Sequence, residues 1–454
     1  MIDDSSRILI IQPAFTASRK NNFFHYHPPE WKATEREMES GKVRSTFKYA
    51  FGPGLILAAA AIGVSHLVQS TRAGADYGFT LVWAVIIASL MKYPFLEYGP
   101  RYATATGESL IAGYKKLGSW ALWIYIIFTI GTMFAIQAAV TIVTASLAVE
   151  LTGVELPLLV WSIIILLVCI GVLFRGQYSA LDSLIKVVMV VLSLSTIAAF
   201  LAAWFDASPS ELPAAPSVWD VAGVTFLIAL MGWMPIPIDA AAWHSLWSLE
   251  RQKQTQHKSS LKESLLDFNI GYVGASILAL IFLSLGALVM FGSGVSFSSS
   301  GAGFAQQLID LYTQTLGRWA HWIIIICAFT TMFSTTLTVT DSYPRVTREI
   351  IRVMKSEVNE SGLFSYKGLL FLISTISMLV LWLTGSQFTY IIDLATSLSF
   401  LTAPALAYIN YRLIMSRFTP EDHHPKTWLR VLSWMGMIFL SAFALLFFYW
   451  RFVG

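Results

Sequence analysis

Residues 51–79 read FGPGLILAAAAIGVSHLVQSTRAGADYGF. The stretch is long and apolar enough to cross a bilayer, yet Gly63, Val64, Ser65 and His66 stand at its middle. A helix facing lipid has no use for a glycine, a serine and a histidine at that depth. In hydrocarbon every backbone polar group needs a partner, so irregular backbone persists only where protein or a wet cavity covers it. The stretch therefore reads as a membrane helix broken at its centre and turned toward a protein interior.

The rest of the chain supports that setting. Of 454 residues, 56% are hydrophobic and 13% charged, about half the charged share of a soluble domain. Mean hydropathy is +0.64. Cys169 and Cys327 both fall in apolar runs and read as small buried side chains rather than a disulfide or a thiolate metal site. Residues 1–47 are polar and mixed in charge, which is no signal peptide and reads as a cytoplasmic tail.

Eleven apolar spans follow, at roughly 49–76, 79–99, 120–148, 156–174, 183–204, 219–248, 269–292, 319–344, 367–384, 387–411 and 428–450. Basic residues alternate from one connection to the next. The tail has Lys42, Arg44 and Lys48, and the loop after helix 2 has Arg101, Lys115 and Lys116. Arg175 follows helix 4, and Lys186 comes early in helix 5. RQKQTQHKSSLK at 251–262 follows helix 6, and Arg345, Arg348, Arg352 and Lys355 follow helix 8. Arg412, Arg417, Lys426 and Arg430 lie between helices 10 and 11. The opposite loops AVELTGVELP and FDASPSELPAAPSVWD have no basic residue. This bias predicts a multi-pass cell-membrane protein with its N-terminus in the cytoplasm and its C-terminus outside.

A second interruption sits in helix 6, MGWMPIPIDAAAWHS at 231–245, where Pro235 and Pro237 each free a carbonyl four residues back. Helices 1 and 6 hold corresponding places in a chain of five plus five helices. Paired breaks at equivalent places in two halves point to a carrier with its binding site at the membrane midplane. The predicted organisation is a ten-helix transport core over 48–411, with repeats at about 48–204 and 219–411, and an eleventh helix at 428–450.

The start of the core resembles the Nramp family of divalent-metal transporters. The likeness rests on GPG at 52–54, AGADYGF at 73–79, LVW at 81–83, ASLM at 88–91 and TGESL at 106–110, and continues more weakly to Met234-Pro235. It implies an all-α, LeuT-like inverted-repeat fold with broken helices 1 and 6. Counted from Ala73-Gly74-Ala75, the aspartate, proline, glycine and asparagine of the family's helix 1 motif fall on Gly63, Val64, Ser65 and His66. In helix 6 the family's alanine falls on Met231, its methionine is kept as Met234, and its histidine falls on Ile236. The family's charged residues in helices 3 and 9 are also missing. ALWIYIIFTIGTMFAIQAAVTIVTAS offers only Gln137, and GLLFLISTISMLVLWLTG offers no charge. The resemblance thus implies a divergent member.

The residues that remain define the candidate site. Gly63 supplies backbone freedom at the break, and Ser65 or His66 can cap the half-helix after it. His66 is a ligand for a borderline metal or a proton carrier, and its bland alternative is a hydrogen-bonded packing histidine. Asp239 is a carboxylate in mid-membrane, with capping as its structural alternative. Met231 and Met234 lie three apart on one helical face, suited to soft ions or to simple filling, and Trp233 beside them can line a pocket for an organic substrate or a cation. Asp393 in helix 10 serves either a wet cavity or an ion pair. Asp341 reads as a partner of Arg345, and Lys92, Glu97 and Arg101 read as an interfacial ion network. The expected substrate contacts are Gly63, Ser65, His66, Met231, Trp233, Met234 and Asp239. The expected metal ligands are His66, Met234 and Asp239, and the expected coupling groups are His66, Asp239 and Asp393.

Two cargoes fit these residues. One is a divalent metal cation on mixed ligands. The other is a small amino acid or amine, with its carboxylate near the amides left by Gly63 and its ammonium at Asp239. The partners are the lipid bilayer and the cargo. No enzyme motif, nucleotide-binding loop or resident cofactor is expected, and the basic residues are accounted for by orientation rather than by nucleic acid.

Overall fold

A computed structural model of the chain describes residues 52–175, 178–206, 214–294, 297–355 and 362–452, without the side chains of 178–189 and 451–452. The tail expected over 1–47 lies outside the described residues, as do the side chain of Lys186 and part of the loop over 205–220. The described residues form an all-α structure. In chain order its α-helices are α1 (Pro53–Ala61), α2 (Thr71–Tyr77), α3 (Val82–Thr106), α4 (Leu110–Leu117), α5 (Ser119–Thr152), α6 (Leu158–Arg175), α7 (Tyr178–Asp206), α8 (Val221–Trp233), α9 (Ala240–Thr255), α10 (Leu261–Val289), α11 (Gly301–Leu316), α12 (His321–Met354), α13 (Tyr366–Leu383), α14 (Phe388–Ile414) and α15 (Thr427–Phe452). Among the described residues, eight helices are long and apolar enough to cross a membrane. Their outer faces carry large apolar side chains that remain exposed, such as Ile127, Leu167, Ile438 and Leu445, while Trp319, Trp322, Trp428 and Trp434 are exposed near helix ends. A lipid-facing surface with aromatic belts has this character.

Both expected breaks are present. α1 stops at Ala61, and Ile62 steps out of helical geometry with ψ 74°. Ser65 stands four residues after Ala61, where its amide would continue the helix. Instead its hydroxyl donates to the Ala61 carbonyl at 2.5 Å. The chain resumes in wide π-type turns over Ser65–Ser70 and runs on into α2. The break is therefore at Ile62 and Gly63, slightly before the expected 63–66, because Ser65 and His66 are already wound into the second half. In helix 6, α8 ends at Trp233 and α9 begins at Ala240. Pro235 has no amide hydrogen for the Met231 carbonyl, and Pro237 has none for that of Trp233.

α10 is the spine against which both halves of helix 1 pack. The Asp267 carboxylate accepts from the amides of Gly52 at 3.0 Å and Gly54 at 2.6 Å, capping α1 from a neighbouring helix. Backbones touch at two levels. A Cβ on Gly271 would stand 2.0 Å from the Gly54 carbonyl oxygen, and one on Gly74 would stand 1.9 Å from that of Leu283. Close approach through glycine is how membrane helices gain contact without a hydrophobic driving force.

Two short helices were not expected. α4 is capped by Ser109, and α11 by Ser300. In α11 the buried residues Gly301, Phe304, Ala305, Leu308, Ile309 and Tyr312 recur at helical spacing, which makes it an amphipathic helix too short and too polar to register as a span.

Candidate functional site between the two broken helices

The two breaks meet. Ser65 Oγ lies 3.4 Å from the Pro235 carbonyl oxygen. Around this contact is a narrow cavity of about 20 Å³, room for about one water molecule. Helix 1 contributes Ala60, Ala61, Val64 and Ser65, and helix 6 contributes Trp233, Pro235, Ile236, Pro237 and Trp243. Ile136 and Val140 of α5 and Thr335 and Val339 of α12 close it. The wall is apolar apart from two hydroxyls and the tryptophan edges. The Thr335 hydroxyl donates to the Ala59 carbonyl at 3.0 Å, so α12 covers backbone exposed just before the break.

Of the residues expected to touch substrate, Ser65 and Trp233 line this cavity. Trp233 is held by its indole N–H, which donates to Ser399 Oγ at 2.8 Å. Gly63 packs on Thr335, whose hydroxyl would lie 2.8 Å from a Cβ added there. His66 faces α10 instead. Its Nε2 donates to the Ala275 carbonyl at 2.8 Å, its Nδ1 is 2.8 Å from Ser65 Oγ, and its ring meets Phe282 edge-on. The ring is thus held on α10 through Nε2, with Nδ1 packed against Ser65. Met234 Sδ accepts from Ser70 Oγ at 3.6 Å, and Met231 is fully buried. Neither methionine lines the cavity. Among the described residues no three His, Cys, Asp or Glu side chains gather in one place. His66→Ala should therefore cost about 1–3 kcal/mol of stability through lost hydrogen bonds. Thermal unfolding of the purified variant checks this, and an unchanged midpoint would contradict the anchoring seen here.

The two aspartates differ. Asp393 accepts from Arg72 Nη1 at 2.9 and 3.0 Å and from Gln69 Nε2 at 3.1 Å, and Arg72 also reaches Asp76 at 3.4 Å and covers the Phe226 ring. It is a paired residue joining the second half of helix 1 to α14. Asp239 holds the N-terminal cap position of α9 but makes no capping bond, and its carboxyl is buried beside the Tyr343 hydroxyl. Lys92, Tyr125 and Tyr343 are its electrostatic neighbours.

The ion network expected at the inner end of helix 2 is smaller than the sequence implied. Glu97 and Arg101 pair, and Arg101 Nη1 donates to the His423 carbonyl at 3.0 Å. Lys92 does not join them. Five residues along a helix turn a side chain by about 140° from its starting face, so Lys92 points into the core. Its ammonium donates to the carbonyls of Met231 at 3.0 Å, Gly232 at 2.8 Å and Met234 at 2.9 Å. Asp341 pairs with Arg345 at 2.7 Å, as expected.

With this geometry in hand, comparison with known proteins places the molecule. The model of the family described as natural resistance-associated macrophage protein-like matches residues 54–450. The chain belongs to the Nramp family. It is a secondary-active membrane transporter, not an enzyme. An uncharacterised protein of Pasteurella multocida is 34% identical over 433 residues, covering 94% of this chain and 97% of that one. The divalent metal cation transporter MntH of Chromohalobacter salexigens is 36% identical over 90 residues, 19% of this chain and 21% of its own. In structure, the Nramp fold here is similar to a manganese transporter of Eremococcus coleocola, with TM-score 0.64, 18% identity and coverage of 88% of this chain and 86% of that one. It is nearly as similar to MhsT solved with L-phenylalanine, with TM-score 0.61, 14% identity and coverage of 88% and 98%. The fold is thus related to that of LeuT-like proteins.

Two features of this Nramp-family chain were not given by the sequence reading: the carbonyl partners of Lys92 and the hydroxyl seam around Thr335. Lys92 was a lone lysine within an apolar stretch, a signal in itself. Thr335 belongs to the run TTMFSTTLTVTDS at 330–342, whose hydroxyls form a buried seam. Within the seam Thr336 and Thr144 hydroxyls lie 2.7 Å apart, and Gln137 donates to Thr340 at 3.0 Å.

Proposed function

We propose that this protein carries a divalent metal cation across the cell membrane by alternating access, with the cargo held between the breaks of helices 1 and 6. The observation that carries this reading is the meeting of Ser65 with Pro235 beside one small cavity lined by both broken helices. In this reading the core has ten spans in two inverted repeats, about 48–204 and 219–411, with an eleventh at 428–450. The N-terminus is cytoplasmic and the C-terminus outside, from the alternation of basic loops.

Membership of the family and the names of its relatives favour a metal. The donors differ from those the sequence suggested. His66 is held on α10 through Nε2 with Nδ1 against Ser65 Oγ, and Met234 is bonded through its sulfur, so the cargo is held by oxygen, from the hydroxyls of Ser65 and Thr335 and from the Pro235 carbonyl. Oxygen donors suit harder cations, which keep part of their water. A second reading, a small amino acid or amine, has its own support. Trp233 and Trp243 both line the cavity, Asp239 is close in sequence to its wall, and the same fold serves a protein solved with L-phenylalanine. Uptake by reconstituted vesicles, tested against divalent ions, amines and amino acids, separates the two. Saturable metal uptake unaffected by the organic solutes is expected. Uptake of an organic solute without any metal would overturn the metal reading.

Coupling rests on Asp239 in this account, because Asp393 is committed to Arg72 and His66 to α10. Asp239→Asn should remove any acceleration of uptake by an inward proton gradient while leaving exchange of cargo intact. Uptake by vesicles with and without a gradient checks this, and a full proton response in the variant would place coupling elsewhere.

A further inference from the structure

We propose that the C-terminal end of α8 is a cation site and that the ammonium of Lys92 is its resident, covalently tethered occupant. The argument starts with what the helix end lacks. Pro235 cannot donate to the Met231 carbonyl, and beyond Trp233 the chain leaves helical geometry, so the last carbonyls of α8 have lost their usual donors. They also stand at the negative end of the helix dipole. Carbonyl oxygens converging at a helix C-terminus inside a membrane attract a cation.

The structure holds one there. Lys92 reaches across from α3, fully buried, and its three N–H groups match the carbonyls of Met231, Gly232 and Met234 at 2.8–3.0 Å. An ammonium has three donors, so its hydrogen-bonding capacity is complete. Asp239, across the same break, supplies a negative charge to the field around it. A buried lysine in a membrane helix is costly unless it is paired and bonded in this way.

Two consequences follow. The outer half of helix 6 is tied to helix 2 by a side chain that cannot diffuse away, so this end of the break is held to α3. A free monovalent cation is not needed at these carbonyls, and a transported one does not compete for them.

The test is chemical replacement of the tether. The full chain carrying Lys92→Ala, or Lys92→Met to keep the stem's packing, is purified in detergent. Thermal unfolding is then followed in the chlorides of choline, sodium, potassium and methylammonium at equal ionic strength. The wild-type midpoint should not depend on which of these salts is present. In choline the variants should unfold several degrees lower, and a small cation should raise the midpoint again in a saturable way, with methylammonium the closest mimic. A variant as stable as wild type in choline would overturn the proposal. So would a variant equally destabilised in all four salts, or failure to recover either variant in any of them. The readout is unfolding rather than uptake, so the result stands apart from the identity of the cargo.

Discussion

Gly74→Val should leave almost no folded protein. A Cβ at residue 74 would stand 1.9 Å from the Leu283 carbonyl oxygen and 2.6 Å from the Ala287 nitrogen. Both are backbone atoms of α10, so no side chain can turn aside, and helix 1 must separate from its spine. That separation would also disturb the hydrogen bond from His66 to Ala275 and the contact of Gly271 with Gly54. The cost should reach about 4 kcal/mol or more, the range of severe core disruption, against a total stability of about 5–15 kcal/mol for folded domains. Gly131→Ala is the matched control, because nothing lies within 4 Å of a Cβ there. Size-exclusion profiles of the two variants in detergent should show loss of the monodisperse peak for the first and its retention for the second.

The second large effect concerns function. Val140→Phe should reduce transport at least about tenfold, equivalent to about 1.4 kcal/mol, with much of the folded yield kept. Val140 lines the cavity together with residues of both broken helices, and the space there is about 20 Å³. Overpacking costs about 1–3 kcal/mol of stability, so a folded but blocked carrier is expected. Uptake normalised to folded protein measures this. Normal uptake by the variant would mean that cargo does not pass this point.

The residues show how far a sequence carries such an argument. The breaks were legible in GVSH and in MPIP, because glycine and proline act on the backbone directly and a membrane offers no other way to satisfy freed carbonyls. The lipid-facing helices were legible as apolar runs. What could not be read was direction. A break resets the helical phase, so His66 reads equally well as facing the cavity or as facing α10, where it binds Ala275. The same holds across helices. Lys92 stood near Glu97 and Arg101 in sequence, yet its partners are carbonyls about 140 residues away on α8. Asp393 read as either cavity or ion pair, and its partner Arg72 belongs to the other end of the chain. The seam of Thr335, Thr336 and Thr340 was visible as composition, but its meaning lies in Ala59, Thr144 and Gln137, which belong to other helices.

The central claim is that the cavity between the broken helices opens to one side at a time. It is tested most directly by exchange across sealed vesicles containing the reconstituted full chain. Vesicles preloaded with an unlabelled divalent metal ion should take up the labelled ion faster than empty ones, because a loaded carrier returns more readily than an empty one, and Val140→Phe should lose this acceleration. Equal initial rates in loaded and empty vesicles, unaffected by Val140→Phe, would contradict the account and indicate a permeation path outside the cavity.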